Sequence, residues 1–244
     1  MINKNTVLNF FFPQKCPVCR TIIKLGEEGS VMCPVCRLKW GYEKEKLCTE
    51  CSLPAYLCTC MPKRMSTAGA LDLLKLCFYD SNSGSAGDRL VLYMKDYRDR
   101  RVFRYVALEL CAHLKKYLDK NGISTEEIVI TYSPRSRSML EKRGFDQAKH
   151  LAKECAKEMN ADFVDAIRRR FFSKRQKGLS VKERQENAKH SFEIRKNIDL
   201  KRKTVILVDD VVTTGASFAA CTKLLLKEGA VGVVCLAVAQ SNGK

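Results

Sequence analysis

Hydrophobic spacing changes character along the chain. Thr204 to Val208 is a continuous apolar run, Ala230 to Ala239 is another, and Glu127 to Tyr132 (Glu-Ile-Val-Ile-Thr-Tyr) is a third. Short runs of this kind, rich in Val and Ile, predict strands buried on both faces. Helical spacing lies between them. Leu90, Tyr93 and Met94, then Val102, Tyr105, Val106, Leu108 and Leu110, mark a helical region over Arg89 to Lys116 with a charged break from Asp96 to Arg101. Phe145 to Met159 is an amphipathic helix, and residues 217–227 form a helix that stops at Gly229. Residues 70–79 read as a strand or a short helix. Ser81 to Gly87 and the basic Ser133 to Gly144 read as loops, and Met61-Pro-Lys-Arg-Met-Ser66 as a polar linker. Apolar strands alternating with helices predict an α/β fold: a parallel sheet with helices on both faces. No internal repeat stands out.

The first 60 residues follow a different rule. Eight of the 13 cysteines lie there, in pairs: Cys16 and Cys19, Cys33 and Cys36, Cys48 and Cys51, Cys58 and Cys60. The first four read C-x2-C-x13-C-x2-C and the second four C-x2-C-x6-C-x-C. Two residues between cysteines let a tight turn aim both sulfurs at one point, and two such turns supply the four soft donors that Zn²⁺ takes. The alternative is a disulfide framework, which needs an export signal. The start, MINKNTVLNFFFPQKC, has one Lys ahead of a short apolar stretch from Val7 to Phe12 and no small-x-small site before Cys16. The expectation is a reduced, cytoplasmic, small Cys-rich zinc-binding module with one or two structural zincs, because four thiolates leave no open position on the metal. Trp40 reads as core of that module. Cys77, Cys111, Cys155, Cys221 and Cys235 stand in apolar contexts and read as buried small residues. His113, His150 and His190 show no ligand spacing.

Charge adds a partner class. The 244 residues carry 44 Lys and Arg against 27 Asp and Glu, a formal charge of +17. Residues 121–204 hold +9 of it, and 168–189 contain nine basic and two acidic residues. An anionic partner follows: nucleic acid, a phosphorylated metabolite, or both. No apolar run approaches the roughly 18 residues that cross a bilayer, so no membrane span is expected.

The most informative stretch is Thr204-Val-Ile-Leu-Val-Asp-Asp-Val-Val-Thr-Thr-Gly-Ala-Ser217. A buried strand ends in two acids, then a loop of small hydroxyl residues leads into a helix. Ligands bind beyond the carboxyl ends of strands in an open parallel sheet, and a helix start binds phosphate through its free N–H groups. Thr213, Thr214 and Ser217 add hydroxyls, and Gly215 lets the backbone approach. Asp209 and Asp210 suit vicinal hydroxyls, as on a ribose. A helix cap alone explains Asp, Thr and Ser at such a place, but two adjacent carboxylates closing an apolar strand are costly without a partner. Neither G-x-x-x-x-G-K-[ST] nor G-x-G-x-x-G is present, so neither a P-loop nor a dinucleotide fold has support.

This stretch resembles the phosphoribosyl pyrophosphate (PRPP) signature of type I phosphoribosyltransferases, and the whole chain resembles the ComF family of phosphoribosyltransferase-like competence proteins. The Cys-rich start resembles that family's zinc module and Leu92-Tyr-Met-Lys-Asp-Tyr97 its lysine–x–tyrosine helix end. Arg143-Gly-Phe-Asp-Gln147 stands where the family has Arg-Gly-Phe-Asn-Gln, and Arg169, Gln176-Lys-Gly-Leu-Ser180, Arg184, Asn187 and Ser191-Phe192 resemble its basic segment. The resemblance implies a zinc module over 1–62 and a phosphoribosyltransferase-like domain over 68–244. Carried over residue by residue, it implies that Asp209 and Asp210 hold the ribose hydroxyls and that Val212, Thr213, Thr214, Gly215, Ala216 and Ser217 cradle the 5′-phosphate. Arg135, Arg137, Arg143 and Lys95 would meet the pyrophosphate, with Mg²⁺ held largely by PRPP itself.

The implied role is PRPP binding in natural competence, with single-stranded DNA and a helicase or other competence proteins as partners. The alternative is a metabolic phosphoribosyltransferase acting on a small base or amine. Residues 168–189 read either as a hood over PRPP or as a DNA-backbone track carried by Arg168, Arg169, Arg170, Lys174, Arg175 and Lys177. Phe171 and Phe172 read either as rings that stack on bases or as a buried anchor where the loop meets the core.

Overall fold

The computed structural model describes residues 13–23, 30–80, 83–170 and 191–241. Phe171, Phe172, Lys174, Arg175, Lys177 and His190 lie outside them. The centre is a five-stranded sheet of β1 (Asp72–Tyr79), β2 (Ile128–Tyr132), β3 (Asp162–Phe163), β6 (Thr204–Val212) and β7 (Gly232–Ser241). Its order is β1-β7-β6-β2-β3, and every pairing is parallel. A two-stranded antiparallel ribbon, β4 (Ile167–Arg169) and β5 (Phe192–Ile194), flanks it. The described helices are α1 (Pro34–Lys44), α2 (Lys63–Thr67), α3 (Ala86–Asp96), α4 (Arg100–Asn121), α5 (Arg137–Arg143), α6 (Gln147–Met159) and α7 (Ala216–Lys227).

The apolar strand runs are buried because both sheet faces are covered. Ile206, Val208, Val234 and Leu236 pack with α3, α4 and α6 in one cluster. Val205, Leu207, Val233 and Cys235 pack with Phe218, Cys221 and Leu225 of α7 in another. Alternate residues of one strand thus serve opposite cores. The charged break is real: α3 ends at Asp96 and the Asp99 side chain caps α4 by accepting from Arg101 N.

Two expectations are corrected. The basic 133–144 stretch is not all loop. Ser136 caps α5 and Gly144 ends it in the left-handed conformation. None of its residues is buried, so it has no apolar face and leaves no periodic signal. The polar linker contains α2, whose Met65 is fully buried. One apolar residue in five cannot show a period.

The topology places the site. From β2 the chain crosses through α6 to β3 at one edge; from β6 it crosses through α7 to β7 on the other side. Neighbouring strands whose crossovers run opposite ways open a crevice at their carboxyl ends. Tyr132 pairs with Val208, and there β2 ends, while β6 continues to Val212 beside β7. Asp209 and Asp210 therefore stand on the open side of the switch point.

Candidate functional site

Strand alternation sends the two acids to opposite faces. Asp209 lines a cleft of about 60 Å³ with Val211 to Phe218. Asp210 turns to the other face, is 5% exposed, and is held from three directions. Arg135 Nη2 donates to its Oδ2 at 2.8 Å, Gln147 Nε2 donates at 2.9 Å, and Lys95 Nζ lies 3.8 Å away. Burial, and then the Asp210 carboxylate, push the Asp209 carboxyl well above its ordinary value.

Asp146 sets the geometry around this pair. Its Oδ1 accepts from Lys149 N and so caps α6, while its Oδ2 accepts from Arg135 N at 3.0 Å. One carboxylate thus fixes both the helix start that delivers Gln147 and the loop that delivers Arg135. Burial raises its pKa, against the backbone donors from Arg135 and Lys149. Asn in its place would offer one acceptor oxygen for the same cap. Gln147 stands in a family motif, but the sequence alone assigns it no role. Its contact with Asp210 becomes visible only in the fold, where this first residue of an amphipathic helix is polar yet fully buried.

Among the described residues, three buried polar atoms at this place have no partner: Arg135 Nε, Arg143 Nε and Gln147 Oε1. Guanidinium donors without partners are suited to phosphate oxygens. Arg143 also ion-pairs with Asp96 at the end of α3. Arg137 lies on the exposed side of α5 and pairs with Glu141.

The loop after β6 leads into α7 through Gly215, which has φ +70°. Among the described residues no side chain caps α7, so its first-turn N–H groups are free of a side-chain acceptor. Thr213, Thr214 and Ala216 are exposed, Ser217 is half-buried and Val212 is buried. Gly215 is pressed from behind: a Cβ there would meet Met65 Cγ at 2.7 Å and Sδ at 2.8 Å. The linker helix α2 is thus the floor of the loop.

Arg169 belongs to this wall as well. Its Nε donates to Pro134 O at 3.1 Å and its guanidinium covers the Phe192 ring at 4.7 Å. Arg168 and Arg170 flank it on either side, and both pair with Glu193 of β5.

The cysteine sets are assembled as two groups, Cys16, Cys19, Cys33, Cys36 and Cys48, Cys51, Cys58, Cys60; within each, all sulfurs lie within 4.8 Å of one another. All thirteen cysteines are free thiols, which removes the disulfide framework. Cys19 Sγ and Cys33 Sγ are 3.6 Å apart. A tetrahedron with Zn–S of ~2.3 Å needs sulfurs about 3.8 Å apart, so the donor set fits zinc. The two knuckles also repeat one another in space. Arg20 follows Cys19 and Ser52 follows Cys51, both with positive φ (66° and 56°), and Cys16 N and Cys48 N each reach forward five residues, to Thr21 O and Leu53 O. Trp40 is 1% exposed and lies at the seam with the larger unit: its Nε1 donates to Glu109 of α4 at 2.7 Å.

Comparison with known proteins agrees with both halves. Residues 7–70 match the double zinc ribbon domain and residues 140–244 the phosphoribosyl transferase domain. The DNA utilization protein YhgH of Escherichia coli (strain K12) is 26% identical over 227 residues, covering 91% of this chain and 94% of that protein. Competence protein F of Haemophilus influenzae is 35% identical over 91 residues, 36% of this chain and 39% of that protein. With these two domains in this order, the chain is similar to Competence protein F and to YhgH. Among solved structures, a purine phosphoribosyltransferase from Pyrococcus horikoshii Ot3 superposes with a TM-score of 0.34 at 20% identity, over 56% of this chain and 70% of that one. The fold is assigned from the two domain matches and the parallel sheet. Among the described residues, no helix is long and apolar enough to cross a membrane.

Proposed function

We propose that this chain binds PRPP with Mg²⁺ at the β2/β6 switch point and handles single-stranded DNA in natural transformation, in the cytoplasm. One observation carries the first half: the acid pair at the switch point is bracketed by an uncapped helix start and by two buried guanidinium donors without partners. In this reading the 213–217 turn and α7 hold the 5′-phosphate, Asp209 holds the ribose hydroxyls from the cleft, and Asp210 on the other face positions Arg135, Gln147 and Lys95. Arg135, Arg143, Lys95 and Arg169 face the pyrophosphate. Bound Mg²⁺ supplies charge neutralisation to the phosphate oxygens. Arg135 is shared: it pairs with Asp210, so an arriving anion competes with that carboxylate for one guanidinium, whose buried Nε has no partner among the described residues.

Calorimetry of PRPP with Mg²⁺ against wild type and Asp209→Asn tests this. Loss of a charge-assisted hydrogen bond of about 1.5–3 kcal/mol predicts roughly 10- to 150-fold weaker binding; equal affinity for both proteins overturns the assignment. The DNA half is supported by the +17 charge and by the relatives' names. Gel shifts with single-stranded DNA at two salt concentrations test it: phosphate contacts release counterions, so affinity must fall steeply with salt. Salt-insensitive or absent binding removes that half. The transferase domain match favours a second reading, phosphoribosyl transfer to a small base or amine. It is recognised by pyrophosphate release that requires one such acceptor.

A further inference from the structure

Lys75 lies in the middle of β1, in a strand otherwise buried among apolar side chains. It is 1% exposed, and it is the one fully buried lysine or arginine among the described residues. Its Nζ donates to Cys58 O and to Cys60 O, both at 2.9 Å. It also lies 5.9 Å from the centre of the Phe78 ring. Phe78 belongs to the small core cluster of Cys48, Ala55 and Cys58, against which Cys60 packs. Among the described residues no carboxylate forms an ion pair with Lys75. Two carbonyls and a ring face do not neutralise an ammonium removed from water, and an uncompensated buried charge is strongly unfavourable.

The missing charge is next door. Four thiolates around one Zn²⁺ leave two net negative charges, and Cys58 and Cys60 are two of the four ligands of the second cysteine group. We propose that Lys75 is the counter-cation of the second tetrathiolate centre: it positions the Cys58–Cys60 backbone through two hydrogen bonds and offsets the charge of the loaded metal. This rests on the second group holding zinc. The first centre has no such buried cation among the described residues: Cys16 and Cys36 pack in an apolar cluster with Val18, Met32 and Trp40. The two centres therefore differ in kind. The first packs into the apolar core it shares with β1, α3 and α4; the second is met by a buried cation from a strand of the phosphoribosyltransferase-like sheet.

Outer partners of metal ligands set affinity by about 10- to 100-fold when removed. The test uses the full-length chain as wild type, K75M and K75R, with C51S marking the second centre. Zinc per chain is measured against chelators of graded strength, and Co²⁺-substituted protein gives the thiolate-to-metal absorption of each centre. Wild type should hold two zincs. K75M keeps an apolar side chain of similar length, so it should retain the first zinc tightly and bind the second about 10- to 100-fold more weakly, with a shifted Co²⁺ band for that centre alone. K75R keeps the charge and should restore most of the affinity. Retention of the first zinc reports that K75M has folded. Two zincs held by K75M at wild-type affinity overturn the role of Lys75 and leave the second centre intact. K75R as weak as K75M overturns the charge argument. A wild-type chain with one zinc that survives C51S overturns the second centre and this proposal with it.

Discussion

Replacing Gly215 with alanine puts a methyl group where Met65 already stands. The new carbon would lie 2.7 Å from Met65 Cγ and 2.8 Å from Sδ, closer than any carbon tolerates, and 3.2 Å from Pro62 Cβ. Two costs add. A non-glycine residue at φ +70° costs about 1–2 kcal/mol, and a methyl forced into a filled site costs about 1–3 kcal/mol. The sum is roughly 2–5 kcal/mol. A double-mutant cycle separates them. Met65→Ala alone empties a fully buried site and should cost about 2–5 kcal/mol. In that background the alanine methyl enters vacant space, so Gly215→Ala should cost only the backbone share, about 1–2 kcal/mol. The coupling is then about 1–3 kcal/mol of mutual relief. Urea unfolding of the four zinc-loaded proteins measures it, and PRPP calorimetry on the same samples reads the loop. Additive costs would refute the contact between α2 and the loop. An unperturbed Gly215→Ala would refute both the contact and the backbone argument.

Two further outcomes follow from the site and the metal centres. Asp209 has its pKa raised from 3.8 by burial and by Asp210, so the folded state binds that proton more tightly than the unfolded state. Stability is fully present below the unfolded value, declines as pH rises toward the raised folded value, and stays lowered above it. Asp209→Asn should therefore melt higher than wild type at pH 8 and lose the alkaline slope, while binding PRPP more weakly; an unchanged slope in thermal scans from pH 4 to 8 counts against it. Chelation of zinc should shift the emission of Trp40, the single tryptophan, to the red, because its buried ring shares a cluster with Cys16 and Cys36; unchanged fluorescence after complete zinc loss would refute that coupling.

The sheet is legible in the sequence because burial on both faces leaves long Val- and Ile-rich runs, and the metal groups are legible because their spacing is chemistry rather than packing. The elements that escape carry little apolar surface. α5 has no fully buried residue, and α2 shows one apolar residue in a polar string, although that residue is the floor of the anion loop. The acid pair stands out in the sequence as a site feature, but it reads there as one two-pronged grip. Consecutive strand residues face opposite ways, so Asp209 lines the cleft while Asp210 lies in a cage of Arg135, Gln147 and Lys95. That split follows from the period of a strand, but the cage is tertiary: Lys95, Arg135 and Gln147 come from three separate segments.

The pairing of β1 has a consequence for synthesis. Asp72 aligns with Val234 and Tyr79 with Ser241, so the first strand to leave the ribosome waits for the last. During that wait the cysteine ribbons can already close on metal, yet the strand carrying Lys75 has no neighbour on either side. A chain that stops short of β7 would present a bare, apolar ladder edge behind a finished metal module, the kind of edge that recruits other chains. Premature termination should therefore yield aggregates that still contain zinc.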